Sequence, residues 1–253
     1  DDYVLKVISK REKTENFLDV GCGTGELVRA VSKRGIKSCG IDFAEEMIGI
    51  ARDRAKKEEC QAEFVASSLF DFSYGKYDVI SANGIIEYLS PEELDQFLSI
   101  ASKALNKGGS LILSSRNRLF NIFSLNQFTQ DEIENRDAIY LLKEAINIVN
   151  MKGISELLKC ITPRAYNQEK QVNTGVDVYI RHQYTPSQLI KRIWSRGMET
   201  MQIYPVHIHG VIPKFKDKHP DIHENISNIL QNAEDNQYLI PYASQFMIHA
   251  MRI

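Results

Sequence analysis

Across Phe17-Leu18-Asp19-Val20-Gly21-Cys22-Gly23-Thr24-Gly25-Glu26 an apolar run breaks into three glycines at alternate positions. A helical pattern then opens over Leu27–Lys33. Glycine at these positions lets the backbone turn tightly and leaves no side chain between it and a ligand. The helix that follows points its free N–H groups into the same crevice. Binding of a nucleotide-like cofactor is the chemistry this implies, and charge narrows it. A dinucleotide fingerprint needs a third glycine three positions after the second, so that a pyrophosphate can rest on the helix N-terminus. Glu26 stands there instead. Together with Asp19 at the strand end, that carboxylate suits a cofactor carrying positive charge, such as an ammonium and a sulfonium. Asp42 closes the next strand pattern, where an acid can accept hydrogen bonds from both ribose hydroxyls; a plain strand-end carboxylate is the other reading.

These residues need strands that end together. Apolar runs at 16–20, 38–41, 62–66, 77–82 and 110–114 read as five strands, separated by helical spacings at 27–33, 45–57 and 91–105. Pro91-Glu92-Glu93 puts proline and acids in a first helical turn, and Lys107-Gly108-Gly109 reads as that helix's close. Such alternation implies right-handed crossovers and an α/β, doubly wound, mostly parallel sheet. After Arg116 the period changes. A long helical stretch is expected from about Thr129 to Cys160, on the spacing of Ile139, Leu142, Ile146 and Val149. Thr185-Pro186 then starts another helix, and strands at 198–206 and 244–253 bring the sheet to seven.

Composition sets outer limits. The chain has 253 residues, 43% of them hydrophobic, with net charge −2 and no Lys/Arg run beyond two. A basic nucleic-acid footprint is therefore not expected. No apolar run approaches a membrane span of roughly 20 residues, and no signal peptide opens the chain. Cys22, Cys39, Cys60 and Cys160 are too scattered for a metal motif, so reduced thiols in a cytoplasmic enzyme are expected. His207-Ile208-His209 followed by His219 and His223 raises a metal reading, yet nothing fixes the remaining ligands, and no metal is expected.

Asp-Val-Gly-Cys-Gly-Thr-Gly resembles the first motif of the class I S-adenosylmethionine (SAM) dependent methyltransferases. The resemblance covers roughly 16–116 and 182–253. It implies a SAM-binding core at 1–116, a mainly helical insertion at 117–181 covering the acceptor, and the rest of the core at 182–253. A longer N-terminal segment before Asp1 is implied as well. Carried onto this sequence, the cofactor contacts fall at Asp19, Gly21, Cys22, Gly23, Gly25, Asp42, Phe43, Met47, Ser68, Leu69 and Asn83. Ser68 stands where the family often has an acid for the adenine amino group.

The sequence at Ser81-Ala82-Asn83-Gly84-Ile85-Ile86-Glu87-Tyr88, at the end of the fourth strand, lacks the Asn/Asp-Pro-Pro-aromatic signature of adenine-base methyltransferases. A small polar acceptor is the expectation, with the methyl going to a hydroxyl of a sugar, a sugar-linked group or a secondary metabolite. His182, just before the Thr185-Pro186 helix start, is the preferred general base, and Glu87 and His207 are alternatives. Tyr88, Tyr179, Arg181 and His207 are candidate acceptor contacts. Three other readings stay open: a non-catalytic SAM or S-adenosylhomocysteine (SAH) binder, N-methylation of a small amine, and a nicotinamide oxidoreductase, which Glu26 opposes.

Overall fold

The computed structural model describes residues 2–164, 166–168, 181–231 and 236–253. Helix α1 (Asp2–Ser9) leads into β1 (Asn16–Val20), α2 (Glu26–Ser32), β2 (Lys37–Asp42), α3 (Glu45–Lys57), β3 (Glu63–Ala66), β4 (Tyr77–Ala82), α4 (Pro91–Ala104) and β5 (Leu105–Arg116). Three helices follow, α5 (Phe120–Ser124), α6 (Gln127–Glu134) and α7 (Ala138–Asn150). The chain continues through β6 (Tyr166–Gln168), β7 (Arg181–Gln183), α8 (Pro186–Trp194), β8 (Met198–Ile208), α9 (Pro213–Lys218), α10 (Pro220–Gln231) and β9 (Ala243–Arg252).

Seven strands form one mostly parallel sheet in the order β3-β2-β1-β4-β5-β9-β8. The chain winds outward from β1 to β3, then returns to lay β4 on the other side of β1. This reversal opens a crevice at the carboxyl ends of β1 and β4, where open α/β sheets bind ligands. The fold is the doubly wound α/β architecture expected from the alternation of periods.

Two compact units divide the chain. The first holds Asp1–Leu113, Ser195–Glu199 and His249–Ile253. In it β1 is apolar on both faces, and Phe17, Leu18 and Val20 are almost fully buried because helices flank a parallel sheet on each side. Helix α4 starts on a capping box: Ser90 Oγ accepts from Glu93 N at 3.1 Å, and Glu93 Oε2 accepts from Ser90 N at 2.7 Å. Gly108 and Gly109 do not close this helix. They lie inside β5, where the pairing with β4 steps from Tyr77↔Leu105 to Val79↔Ser110, so the glycines absorb extra residues as a bulge.

The second unit holds Ser114–Trp194 and Thr200–Ile248. The long helix expected over 129–160 is broken into α6, α7 and a 3₁₀ turn at Ile154–Lys159. The first break falls at Arg136, whose φ of 62° cannot continue a right-handed helix. The next residue, Asp137, is drawn inward with Glu132 to the fully buried Arg118 guanidinium, at 2.9 and 2.7 Å. The stripe Ile139, Leu142, Ile146 and Val149 is the exposed face of α7. Leu141, Glu144, Ala145 and Ile148 face inward, and Glu144 accepts from Ser187 N at 2.7 Å and Ser187 Oγ at 2.6 Å. A buried carboxylate thus serves the first turn of α8, where Thr185 Oγ1 also accepts from Gln188 N. Strands β6 and β7 form a separate antiparallel pair that hydrophobic periodicity did not signal.

Candidate functional site

The glycine turn gets its shape from neighbours that would otherwise clash. Gly21, Gly23 and Gly25 have φ of 73°, 51° and 73°, left-handed values that favour glycine. A Cβ on Gly21 would lie 2.2 Å from Ile85 Cγ2, and one on Gly25 would lie 2.3 Å from the Phe64 ring. On Gly23 it would meet no protein atom within 4 Å. Two glycines therefore let the protein close on itself, and the middle one faces open space. Gly23 N donates to Asp42 Oδ2 at 2.9 Å, and Ala44 N donates to Asp42 Oδ1 at 2.9 Å. Asp42 thus ties the turn after β1 to the start of α3 and keeps further lone pairs for a ligand. The Cys22 side chain packs over Gly40, where an added Cβ would come within 2.7 Å of its sulfur.

Asp19 pairs in the sheet with Ser81 on β4, so Gly21 and Asn83 both stand two residues beyond the same rung. The Ser81 hydroxyl bonds the Asp19 carboxylate and also accepts from Asn83 Nδ2 at 3.1 Å. Asn83 Oδ1 is buried and finds no partner among the described residues. Burial drives the Asp19 carboxyl up to about 7, Ser81 pulls it partly back, and the Asp42 charge pushes it further up. The network Asp19–Ser81–Asn83 needs a polar residue in the middle of an apolar strand. Ser81 was the visible signal for it, and it becomes informative only once the register places it opposite Asp19.

Around this centre Phe43 is 82% exposed, and Met47 and Tyr88 are also exposed. Ser68 Oγ accepts from Phe70 N at 3.2 Å, and the Leu69 carbonyl accepts from Tyr74 Oη at 2.8 Å, which fixes the turn after β3. Glu87 is buried in a 3₁₀ turn over Ile86–Tyr88. All these residues belong to the first unit.

His182, Arg181 and His207 belong to the second unit. His182 is buried on β7 opposite Asn167, its ring 6.2 Å from that of Tyr184, and Arg181 is buried beside it. His207 is exposed at the end of β8 with φ of 54°. Tyr179 lies outside the described residues. Among the described residues no group of three or more His, Cys, Asp or Glu side chains is placed to hold a metal ion, and no helix is long and apolar enough to cross a membrane.

The family described as a methyltransferase domain matches residues 17–109. A ubiquinone biosynthesis O-methyltransferase of Pelagibacter ubique is 30% identical over 118 residues, covering 46% of this chain and 48% of that protein. The chain spans about half the length of the curated relatives it matches. A SAM-dependent methyltransferase from Methanosarcina mazei superposes with a TM-score of 0.63 at 16% identity, over 98% of this chain and 97% of the other. Magnesium protoporphyrin IX methyltransferase from Synechocystis, solved with SAH, gives 0.57 at 15% identity, over 100% and 81%. Residues 17–109 thus match a methyltransferase domain, and the seven-strand order is that of the class I S-adenosylmethionine-dependent methyltransferase fold.

Proposed function

We propose that this protein transfers a methyl group from SAM to a hydroxyl of a small polar acceptor. One observation carries the cofactor half: Gly23 faces open space while its N–H is held by Asp42, which leaves a cradle with a carboxylate at its edge. The residues fit the group. Asp42 would take the ribose hydroxyls, Phe43 and Met47 would flank adenine, and Ser68 and Leu69 would meet its edge. Asp19 and the buried Asn83 Oδ1 would face the ammonium of the amino-acid end. When bound, the sulfonium supplies an already activated methyl group.

What remains for the protein is alignment, which can remove roughly 7–11 kcal/mol of a bimolecular barrier, and deprotonation of the acceptor. For a hydroxyl, a base within reach adds about 10²-fold or more. His182 is the proposed base, with Glu87 the alternative; Tyr88, Tyr179, Arg181 and His207 are the proposed acceptor contacts, and residues 117–181 the proposed acceptor cover. The O-methyltransferase relatives favour oxygen over nitrogen as the receiving atom. A sugar, a sugar-linked group or a secondary metabolite remains the proposed acceptor class.

Thermal unfolding with SAH, SAM and NAD, followed by turnover of methyl-labelled SAM against hydroxyl and amine acceptors, tests this reading. SAH at about 100 times its Kd should add about 2.7 kcal/mol of stability. Stabilisation by NAD alone would sink the reading. Label moving only to amines would overturn the hydroxyl assignment, and SAH binding without any turnover would leave a cofactor-binding partner subunit. For the ribose contact, wild type should bind SAH more tightly than its 2′-deoxy analogue, and Asp42→Asn should lose that preference. An unchanged kcat in His182→Ala would move the base to Glu87.

A further inference from the structure

Outside the cofactor crevice, the second unit holds a cavity of about 280 Å³ lined by His207, Ile208, His209, Lys216, His223, Ser227 and Ser244. Several departures from ordinary geometry build it. His207 takes a left-handed φ of 54°, uncommon for a residue with a side chain. Gly210 has no room for a Cβ, which would fall 1.9 Å from Ile226 Cγ2, so α10 seats directly on the chain leaving β8. That contact brings His223 and Ser227, one helical turn apart and on one face, over His209. The His209 ring stands 5.3 Å from His223 and 4.8 Å from Phe120, and its backbone N–H is held by the Tyr242 carbonyl at 2.9 Å.

Polar groups inside are underused. Nδ1 of His209 and Nδ1 of His223 are both buried with no hydrogen-bond partner among the described residues. Ser227 Oγ lies 3.4 Å from His223 Nε2 and 3.3 Å from the Ile208 carbonyl. Ser227 has one hydroxyl hydrogen for the Ile208 carbonyl and His223 Nε2; given to Nε2, it leaves the ring proton on Nδ1, facing the cavity. A buried donor without a partner is costly, and a ligand acceptor would recover that loss. Among the described residues no Asp or Glu lines the space, and Lys216 adds an ammonium. Burial first, then Lys216, His223 and His207, hold His209 down to about 4, so the ring is a neutral donor in a cationic setting. Lys216 sets a cation beside the three lining imidazoles, and among the described residues no group of three or more His, Cys, Asp or Glu is placed to hold a metal ion.

We infer that this cavity binds an oxyanion group, a phosphate or a carboxylate, held by Lys216 and the two imidazole Nδ1–H groups, with the Ser227 hydroxyl turned to His223 Nε2 to fix that ring's tautomer. Its volume is near the lower end of organic-ligand pockets, roughly 300 Å³, which leaves room for a small body attached to the anion. The inference goes beyond the methyl-transfer reading and stands without it.

Inorganic phosphate is the first probe. It is titrated into the full chain at constant ionic strength against chloride, with thermal unfolding and histidine ¹⁵N signals as readouts. Saturable stabilisation and shifts at His209 and His223 are expected. Lys216→Gln should weaken phosphate binding about tenfold or more, the loss of one charge-assisted contact, with SAH affinity unchanged. His209→Phe, which keeps an aromatic ring against Phe120, checks the same point from a second side. Glucose 6-phosphate is then compared with glucose, and benzoate with benzyl alcohol. Binding of the organic anions assigns the group to a small-molecule ligand, and binding of inorganic phosphate alone assigns it to a free anion; both support the site. No effect beyond chloride, an equal response in both variants, or saturable stabilisation by Zn²⁺ alone overturns the inference.

Discussion

Asp19, at the end of β1 in the proposed cofactor crevice, has its carboxyl held up to about 7, chiefly by burial. The unfolded chain releases this proton near pH 4, and the folded chain keeps it until about 7. Between those values the native state binds more protons, so this group's contribution falls as pH rises from about 4 to about 7 and is level above. Each pH unit crossed costs about 1.4 kcal/mol. Asp19→Asn, which needs no ionisation, should therefore melt higher than wild type at pH 8 while binding SAH more weakly. A cofactor ammonium facing Asp19 would restore the charged form. Binding SAH at pH 6 should then release a proton, and at pH 9 none from this group. Titration calorimetry in buffers of different ionisation enthalpy measures this, and absence of release at pH 6 would place the ammonium elsewhere.

Among the local elements, the glycine turn separates structural from ligand-facing positions. Alanine at Gly23 should cost about 1–2 kcal/mol through its left-handed backbone alone. At Gly21 or Gly25 the overlap with Ile85 or Phe64 should add roughly 1–3 kcal/mol. Loss of SAH affinity should rank the other way relative to stability, with Gly23→Ala the most selective for binding. Denaturant unfolding beside SAH titration reads both quantities. In the second unit the corresponding keystone is Arg118, buried between Glu132 and Asp137. Arg118→Leu leaves two buried carboxylates without their cation and should cost roughly 3–5 kcal/mol. At about 2–4 °C per kcal/mol, calorimetry should show a Tm lower by some 6–20 °C. A drop under 2 °C would mean that these carboxylates take up protons and tolerate the loss.

The doubly wound order was legible because parallel strands buried on both faces read as apolar runs, and Gly21, Gly23, Gly25 and Asp42 mark where they stop. Even bounds were close where caps carry chemistry, as at Pro91 and Thr185. Legibility failed where long-range polar contacts decide the local shape. Arg136 turns left-handed and Asp137 turns inward toward Arg118, which is remote in sequence, so no helical period could announce the break. The stripe on α7 misled for a related reason: the inward face carries Glu144, whose partner Ser187 is 43 residues away. Gly108-Gly109 looked like a helix stop and is a bulge, a difference visible only in the pairing with β4. In the stretch 81–88 Ser81 stood without a role because its meaning depends on register.

One consequence of the strand order concerns the time course of synthesis. Strand β8 is made before β9, yet β9 lies between β5 and β8 in the finished sheet. While the ribosome is still reading the codons before Ala243, β8 has no neighbour to pair with and its hydrogen-bonding edges stay open, a liability for self-association. A nascent chain arrested at Tyr242 should therefore be cut by protease within Met198–Ile208, and one released after Ile253 should resist. Equal resistance in both would mean that β8 finds another partner while it waits.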